Sequence, residues 1–321
     1  MIKIGKMIGI EIMGNIAVIM STYNGEKYIE EQLNSILEQI NTKYDTVKIY
    51  VRDDGSKDHT VDILREYEKK NLLQIINSDG NIGVKRSFFK LLEIVEADYY
   101  YFSDQDDIWF ADKLNEFTKQ FNLVDKKIPQ GIFSDLMIVD KYAVSTNIKM
   151  SQTLPGDNRN HSLNDLLFNF KVTGAALAIN KSLRDETLLL TKEDIKNVRM
   201  HDSIIAKISA ATGSLTYIEK PTIYYRQHEN NVIGASKNTI KKYEILKKFK
   251  AKCNELRRME KENKVLYEKF SDVIKNNSEK MMLKNVYDFY FQKNIFKKIL
   301  LFKKIKNTIN SIAKKVTIWF V

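Results

Sequence analysis

The first hundred residues alternate between short apolar runs and segments whose apolar residues recur at helical spacing. The short runs are rich in β-branched and aromatic residues, which is typical of strands buried on both faces of a sheet. Between them, apolar side chains return every three or four positions, as in residues 29–40, which predicts amphipathic helices. The predicted strands are residues 15–21, 47–51, 72–76 and 99–102. This repeated order predicts an α/β fold, a mostly parallel central sheet with helices on both faces.

The rest of the chain is less regular and ends in a lysine-rich helical region. Further strands are predicted at residues 131–140, 173–179 and 222–228, a loop at 151–165, and a helix beginning at Met200. The predicted organisation is a dispensable N-terminal leader (residues 1–13), an α/β domain (14–236) and a basic helical C-terminal region (237–321).

Each strand of the first half ends in a polar cluster. The clusters are residues 21–24, 53–54, 77–81 and 104–107. In open parallel sheets the ligand crevice lies outside the carboxyl ends of the strands, so the four clusters predict a binding site at one edge of the sheet. One cluster alone would be ordinary turn chemistry, since Asn, Asp, Gly and Ser dominate turns.

Three carboxylates, Asp104, Asp106 and Asp107, directly follow the fourth predicted strand. Their mutual repulsion is commonly relieved by a divalent cation, which predicts a metal site. The alternative is an acidic turn that caps the next helix.

The charge of the chain is unevenly distributed. The net charge is +11, yet residues 237–321 hold 23 Lys and Arg against 8 Asp and Glu, while residues 1–236 are slightly acidic. A basic tail indicates an anionic partner, either a membrane or nucleic acid. The single cysteine fits a reducing compartment, and no apolar run is long enough to predict a transmembrane helix.

The last part of the tail combines apolar and basic positions. Apolar residues recur at 295, 299, 302, 305, 309, 312 and 316, and lysines fill much of the remainder before Trp319 and Phe320. This pattern predicts an interfacial membrane helix. The alternative is a helix that packs its apolar side onto the body of the protein.

Seven short motifs occur in order along the first three quarters of the chain. There is no G-x-G-x-x-G after the first strand and no G-x-x-x-x-G-K-S/T, which argues against a nicotinamide dehydrogenase or a P-loop enzyme. The motifs are AVIMSTYNG (17–25), DDGSKDHT (53–60), NIGV (81–84), SDQDDIW (103–109), TG (173–174), HD (201–202) and YRQH (225–228). This ordered series resembles the family 2 inverting glycosyltransferases, and within them the bacterial rhamnosyltransferase-like branch. The resemblance spans about residues 14–236 and implies the GT-A nucleotide-sugar-binding fold.

The resemblance also implies roles for single residues. Asp54 matches a carboxylate that hydrogen-bonds a pyrimidine N3–H, and Asp104 matches a ribose or metal contact. The implied nucleotide-sugar contacts are Ser21, Tyr23, Asp54, Asn81, Gly83, Lys85 and Asp104. The alternatives from the residues alone are a capped turn at Asp54 and a helix-surface cation at Lys85.

The chemical step is assigned in the same way. Asp106 and His228 are the implied ligands of Mg²⁺ or Mn²⁺, because carboxylate ligands select hard cations. Asp202 matches the base that deprotonates the acceptor hydroxyl, although it is also a reasonable helix N-cap. The implied acceptor-side residues are Trp109, Thr173, Gly174 and His201, with Gly174 leaving room for a sugar.

These assignments imply a metal-dependent inverting glycosyltransferase in the cytoplasm, peripheral on the inner face of the cell membrane. It would move a sugar, by branch resemblance L-rhamnose from dTDP-rhamnose, onto a lipid-linked cell-surface polysaccharide precursor. Two alternatives stay open: a sugar nucleotidyltransferase, and a non-catalytic nucleic-acid-binding module that acts through the basic tail.

Overall fold

The computed structural model describes residues 14–43, 47–78, 80–153, 161–228, 242–309 and 312–320. The predicted leader, residues 1–13, lies outside the described residues, as does the predicted boundary at Ser236.

Within the described residues the chain forms nine strands and twelve α-helices. The strands are β1 (Ile16–Thr22), β2 (Val47–Asp53), β3 (Gln74–Ile75), β4 (Tyr99–Ser103), β5 (Ile108–Trp109), β6 (Gln130–Val139), β7 (Ser145–Lys149), β8 (Leu177–Asn180) and β9 (Ser214–Arg226). The helices of the body are α1 (Ile29–Lys43), α2 (Thr60–Lys69), α3 (Val84–Ile94), α4 (Lys113–Phe121), α5 (Leu163–Leu166), α6 (Lys181–Thr187), α7 (Lys192–Asn197) and α8 (His201–Thr212). Those of the tail are α9 (Lys242–Phe270), α10 (Asn277–Phe291), α11 (Ile295–Ile305) and α12 (Ile312–Thr317).

The strands form one sheet in the order β3-β2-β1-β4-β8-β6-β9-β5, with β7 paired to β6. Strands β1 to β4 run parallel to one another, so their carboxyl ends lie at one edge. The second half adds antiparallel pairs, β8 with β4 and β6, and β5 with β9. The predicted α/β class is therefore confirmed, and the antiparallel strands are an addition that the hydrophobic pattern did not reveal.

The sheet separates two apolar cores, and β4 shows how its sequence serves both. Tyr100 and Phe102 pack into one core, while Tyr99 and Tyr101 pack into the other. A strand directs successive side chains to opposite faces, so a continuous aromatic run fills both layers.

The tail helices pack onto the body in one of these cores. Leu256, Leu266, Phe289, Ile305 and Ile318 are buried in the same cluster as residues of α3, α8 and β4. The alternative reading of the tail, packing onto the body, therefore holds for these residues.

The single amphipathic helix predicted over residues 295–316 is wrong, because α11 ends at Ile305 and α12 begins only at Ile312. Among the described helices, none is long and apolar enough to cross a membrane.

Candidate functional site

The ends of β1, β2 and β4 bring the polar clusters to one edge of the sheet. Thr22 of β1 stands opposite Asp53 of β2, and Met20 stands opposite Ser103 of β4. The hydroxyl of Thr22 donates to a carboxylate oxygen of Asp53 at 2.9 Å. The loops that follow these strands consequently begin side by side, as the parallel order requires.

Gln105 joins the loop after β4 to the loop after β1. Its Oε1 accepts from the backbone N–H of Tyr23 at 2.8 Å, and its Nε2 donates to the carbonyl of Tyr23 at 3.0 Å. A Cβ on Gly25 would lie 2.4 Å from Gln105 Oε1, so the glycine leaves the space that the amide occupies. This paired contact holds Tyr23 with its side chain 46% exposed at the edge. We name it the Gln105 clasp.

Asp54 is buried and binds its own neighbourhood. Its carboxylate accepts from the N–H groups of Ile82 and Gly83, both at 2.7 Å, and from Arg52 Nη1 at 2.6 Å. Gly83 has φ +82°, a backbone conformation that other residues rarely adopt. Asp54 therefore shapes the turn at residues 80–83, and its predicted contact with a base would have to share this carboxylate.

Arg52 extends this network to Ser21. It donates to the carbonyl of Gly80 at 2.9 Å and to Ser87 Oγ at 3.2 Å, and Ser21 Oγ donates to Ser87 Oγ at 2.7 Å. Ser21 is thus buried behind the turn, while Asn81 is exposed on it.

Lys85 links α3 to the segment that precedes α8. Its Nζ donates to the carbonyl of Val198 at 2.7 Å. Burial, followed by the charge of Arg86, lowers the pKa of Lys85. Lys85 is therefore a half-buried cation of α3 that is bonded to the segment before α8, and its contact with a nucleotide stays a prediction.

Burial and mutual repulsion raise the pKa values of the carboxyl groups in the acidic cluster after β4. Burial raises the pKa of Asp104 to about 7, and the charges of Asp106 and Asp202 add to this increase. Burial, together with Asp106 and Asp104, raises the pKa of Asp107 well above its usual value. Asp104 is therefore within electrostatic range of both Asp106 and Asp202, although almost a hundred residues separate it from Asp202.

Asp202 lies in the first turn of α8 and is 5% exposed. One of its oxygens accepts from the N–H of Gly174 at 2.8 Å, and the other from the N–H of Ser203 at 2.7 Å. Burial raises the pKa of Asp202 to about 7, although both backbone hydrogen bonds oppose the shift. A carboxyl with such a pKa exchanges a proton near neutral pH, as a general base must.

The small residue Gly174 makes room for His201. A Cβ at Gly174 would lie 2.8 Å from His201 Nε2, and the His201 ring packs on Phe88 and Phe102 at centroid distances of 4.2 and 5.3 Å. Burial lowers the pKa of His201 to about 3, so the ring is neutral. The space predicted for an acceptor sugar is therefore filled by His201, and His201 itself is an interior residue; Thr173, next to Gly174, is partly exposed.

Trp109 is also placed differently from the prediction. The pairing of β5 with β9 buries it to 4% exposure in the core below α1 and α4, so the predicted contact with an acceptor is wrong for this arrangement. Its ring instead lies 4.1 Å from Lys113 Nζ, which donates to the carbonyl of Ala175 at 2.8 Å. Burial lowers the pKa of Lys113 to about 7, against the opposing charges of Asp107 and Asp104.

The end of β9 folds over the acidic cluster. His228 Nε2 lies 2.8 Å from Asp106 Oδ2, and its ring stacks on Tyr28 at 5.1 Å. Arg226 donates from Nε to the carbonyl of Asp106 at 2.8 Å, and its backbone N–H donates to Asp107 Oδ1 at 3.1 Å. The two predicted metal ligands are therefore neighbours.

The residues present fit a cation site that a substrate would complete. In the described part of the chain, no three His, Cys, Asp or Glu side chains lie together as a metal-binding group. Mg²⁺, however, is commonly held by one or two carboxylates together with substrate phosphates. Among the described residues, none donates a hydrogen bond to the buried Asp107 Oδ2, so this oxygen is left to accept a bond from a ligand.

Several residues of this edge escaped the sequence reasoning. Arg52, Gln105 and Ser87 carry the contacts that hold the loops, yet none is a typical catalytic or metal-binding residue in its pattern. The position of Gln105 between two acids was the available signal, since a spacer residue so placed must point away from its neighbours.

The chain is similar to known proteins in sequence and in fold. The model of the family described as Glycosyl transferase family 2 matches residues 17–165. The dTDP-rhamnosyl transferase RfbG of Shigella flexneri is 32% identical over 243 residues, which cover 71% of this chain and 78% of that protein. The putative teichuronic acid biosynthesis glycosyltransferase TuaG of Bacillus subtilis is 34% identical over 102 residues, 32% of this chain and 39% of its own length.

The fold has solved counterparts. The crystal structure of Staphylococcus aureus TarS 1-349 in complex with UDP matches with a TM-score of 0.59 at 15% identity, covering 95% of this chain and 86% of that one. A structure of the same TarS fragment in complex with UDP-GlcNAc matches with a TM-score of 0.52 at 14% identity. At identities of 14–15%, this likeness shows a shared fold alone.

Proposed function

Because the chain belongs to glycosyltransferase family 2, we propose that it is an inverting transferase that takes L-rhamnose from dTDP-L-rhamnose. The acceptor that we propose is a hydroxyl group of a lipid-linked cell-surface polysaccharide precursor. The single observation that carries the catalytic part is the buried Asp202 carboxyl within electrostatic range of Asp104, which follows β4 at the carboxyl edge of the sheet. The similarity to a dTDP-rhamnosyl transferase over 78% of its length supports the choice of donor.

We assign the donor to the loops after β1, β2 and β3. Tyr23 and Asn81 present exposed side chains there, Asp54 and Gly83 shape the turn, and Ser21 supports it from behind. Lys85 lies at the start of α3, where its charge favours an anionic group. The partly exposed Asp104 lies within electrostatic range of Asp202.

Mg²⁺ or Mn²⁺ would be held by Asp106, with His228 completing the site. When bound, such a cation neutralises negative charge on the diphosphate leaving group. His228 is held in position by its stacking on Tyr28, and Arg226 fixes the backbone of Asp106. The chain therefore supplies a preformed pair of ligands, which limits the reorganisation needed on donor binding.

Asp202 performs the proton transfer. Its carboxylate removes the proton from the acceptor hydroxyl as the hydroxyl oxygen attacks the anomeric carbon. The bond from that carbon to the diphosphate oxygen breaks, its electron pair stays on the diphosphate, and the configuration inverts. The hydrogen bonds from Gly174 and Ser203 orient the carboxylate for this step.

A donor panel tests the proposal. With Mn²⁺ and a saccharide acceptor, we expect dTDP release from dTDP-L-rhamnose and little release from UDP- or GDP-sugars. Asp202→Asn should lower kcat by about 10²- to 10⁴-fold with little change in donor KM, because only the proton transfer is lost. If this variant transfers sugar as fast as the wild type, Asp202 is not the base.

The product released in the same assay distinguishes sugar transfer from the nucleotidyltransferase alternative. That reaction would release pyrophosphate from a nucleoside triphosphate, whereas sugar transfer releases a nucleoside diphosphate. The absence of a glycine- and lysine-rich loop after β1, where a triphosphate would be gripped, favours sugar transfer.

We further propose that α11 binds an anionic membrane surface, which would hold the enzyme near a lipid-linked acceptor. Ile295, Phe296, Ile299 and Leu300 are exposed on this helix, Phe296 by 75%. Lys297, Lys303 and Lys304 are exposed beside them, so an apolar strip is flanked by positive charge. This combination complements the acyl chains and anionic headgroups of a bilayer better than a nucleic acid, which offers no apolar layer.

A further inference from the structure

Two neighbouring residues of the tail helix α9 reach into the interior beside the base. Glu262 is 1% exposed and Asn263 is fully buried. Glu is rarely buried unless it is paired, because a charge taken out of water loses its hydration. The contacts of Glu262 therefore explain why it is tolerated there.

Glu262 binds three points on the segment that carries Asp202. One carboxylate oxygen accepts from the backbone N–H of Arg199 at 2.7 Å. The other accepts from Ser203 Oγ at 2.6 Å and lies 2.8 Å from Lys207 Nζ. Arg199 and Ser203 stand on either side of Asp202 in the sequence, so one carboxylate fixes both flanks of the proposed base.

Asn263 completes the arrangement. Its Oδ1 accepts from Lys207 Nζ at 2.8 Å, and its Nδ2 donates to the carbonyl of Leu167 at 2.9 Å. A buried ion pair contributes little net stability compared with well-packed apolar residues. Its larger consequence is geometric, because it fixes the start of α8 relative to α9.

We propose that Glu262 is a positioning residue that holds the Arg199–Ser203 segment so that the Asp202 carboxylate faces the acceptor hydroxyl. This inference rests on the proposed role of Asp202 and extends it: the tail is part of the catalytic framework. A displacement of the base by about 1 Å can lower the rate on the order of a hundredfold. The contacts by which Glu262 holds the segment around Asp202 therefore matter for the chemical step.

The charge of Glu262 has a second, separable effect. The groups that act on Asp202 are Arg199, whose charge lowers its pKa, and Glu262, whose charge raises it. Asp104 and Tyr225 are within electrostatic range of Asp202 on the side of the acidic cluster. Loss of the Glu262 charge should therefore lower the pKa of Asp202 and shift the acid limb of the kcat profile to lower pH.

The test compares Glu262→Gln and Ser203→Ala with Glu268→Gln, an exposed glutamate of the same helix. With dTDP-L-rhamnose as donor, we expect a kcat decrease of about tenfold or more for the first two variants, donor KM within twofold, and no change for the control. Only Glu262→Gln should shift the pH profile. Unchanged kcat in both Glu262→Gln and Ser203→Ala would overturn the proposal.

A readout without turnover separates this inference from the proposed function. Hydrogen–deuterium exchange of residues 198–204 should rise in Glu262→Gln and stay constant in Glu268→Gln. If the wild type uses no nucleotide sugar, the proposed function fails, and the exchange data still decide whether Glu262 orders this segment. If Glu262→Gln does not fold, two other variants take its place in the kcat and exchange measurements. One is the double variant K207M/E262M, which removes both charges together, and the other is Ser203→Ala.

Discussion

At the scale of single residues, Asp202 shows burial and chemistry acting against each other. Its pKa is raised to about 7 by burial, above the value of 3.8 expected for an exposed Asp. The folded state therefore favours the protonated carboxyl. The stability that this proton provides is present below pH 4 and is lost as the pH rises through about 7.

This linkage predicts that removing the charge stabilises the protein at high pH. Asp202→Asn should raise Tm at pH 8 by about 2–4 °C and by clearly less at pH 5, where the folded-state carboxyl is neutral and only the unfolded-state carboxyl is ionised. Thermal unfolding at the two pH values measures the difference. An equal shift at both would show that packing, and not ionisation, causes it.

The residues that the sequence predicted best are those whose chemistry is unusual in their pattern. Asp104, Asp106, Asp202 and His228 do meet at one edge, although their roles stay predictions. Trp109 was assigned wrongly because its burial depends on the pairing of β5 with β9, more than a hundred residues later. Glu262 is one charge among many on a lysine-rich helix, and only the packing of α9 on α8 reveals its contacts.

At the scale of elements, the Gln105 clasp determines how the loops after β1 and β4 are held together. Three separate observations describe it: two hydrogen bonds to Tyr23 and the close approach at Gly25. The exposed Tyr23 side chain depends on this contact for its position at the proposed donor site.

We expect Gly25→Ala and Gln105→Ala to loosen the same contact. The new Cβ of Gly25→Ala would displace the Gln105 amide, and each single variant should raise the donor KM by about tenfold, since a good hydrogen bond contributes roughly 1 kcal/mol and two are lost. Gly25→Ala introduced into Gln105→Ala should add little. A fully additive effect on KM would mean that the two positions act independently.

Secondary structure followed from the sequence where the pattern was local. The observed limits of β1, β2 and β4 lie within a few residues of the predicted ones, because apolar runs are typical of buried parallel strands. The predicted strand over residues 173–179 begins only at Leu177, because residues 174–176 form a short 3₁₀ turn under His201. The break between α11 and α12 was missed because the apolar spacing continues through the intervening turn, where Ile309 is buried.

At the scale of the whole molecule, the tail has an inner side that packs on the body and an outer side that is exposed. Its inner side shares a core with the body, whereas the outer side of α11 is apolar and flanked by lysines. Deleting residues 237–321 would therefore remove core packing together with any membrane contact. Point variants of the full chain separate the two.

We expect the full chain to float with vesicles of phosphatidylglycerol and phosphatidylcholine, and less with phosphatidylcholine alone. Phe296→Ser with Leu300→Ser should reduce binding to the anionic vesicles by tenfold or more, because two exposed apolar side chains that would enter the bilayer are lost. Leu123→Ser, at an equally exposed leucine of the body, is the matched control. Binding that is unchanged in the double variant, or that shifts to duplex DNA, contradicts a membrane role for α11.

The family and the α/β fold were predictable because seven short motifs occur in order and the parallel strands follow one another. The attachment of the tail was not, because a helix with one apolar face has the same spacing whether that face meets protein or lipid.

The bridge from Lys85 to the carbonyl of Val198 has a consequence for the order of events. Lys85, at the edge of the proposed donor site, also binds the segment that leads into α8, the helix that carries Asp202. If a nucleotide binds against the 80–85 turn, as proposed, we expect it to order the segment before α8 as well. The expected kinetic consequence is an ordered reaction in which the donor binds before the acceptor.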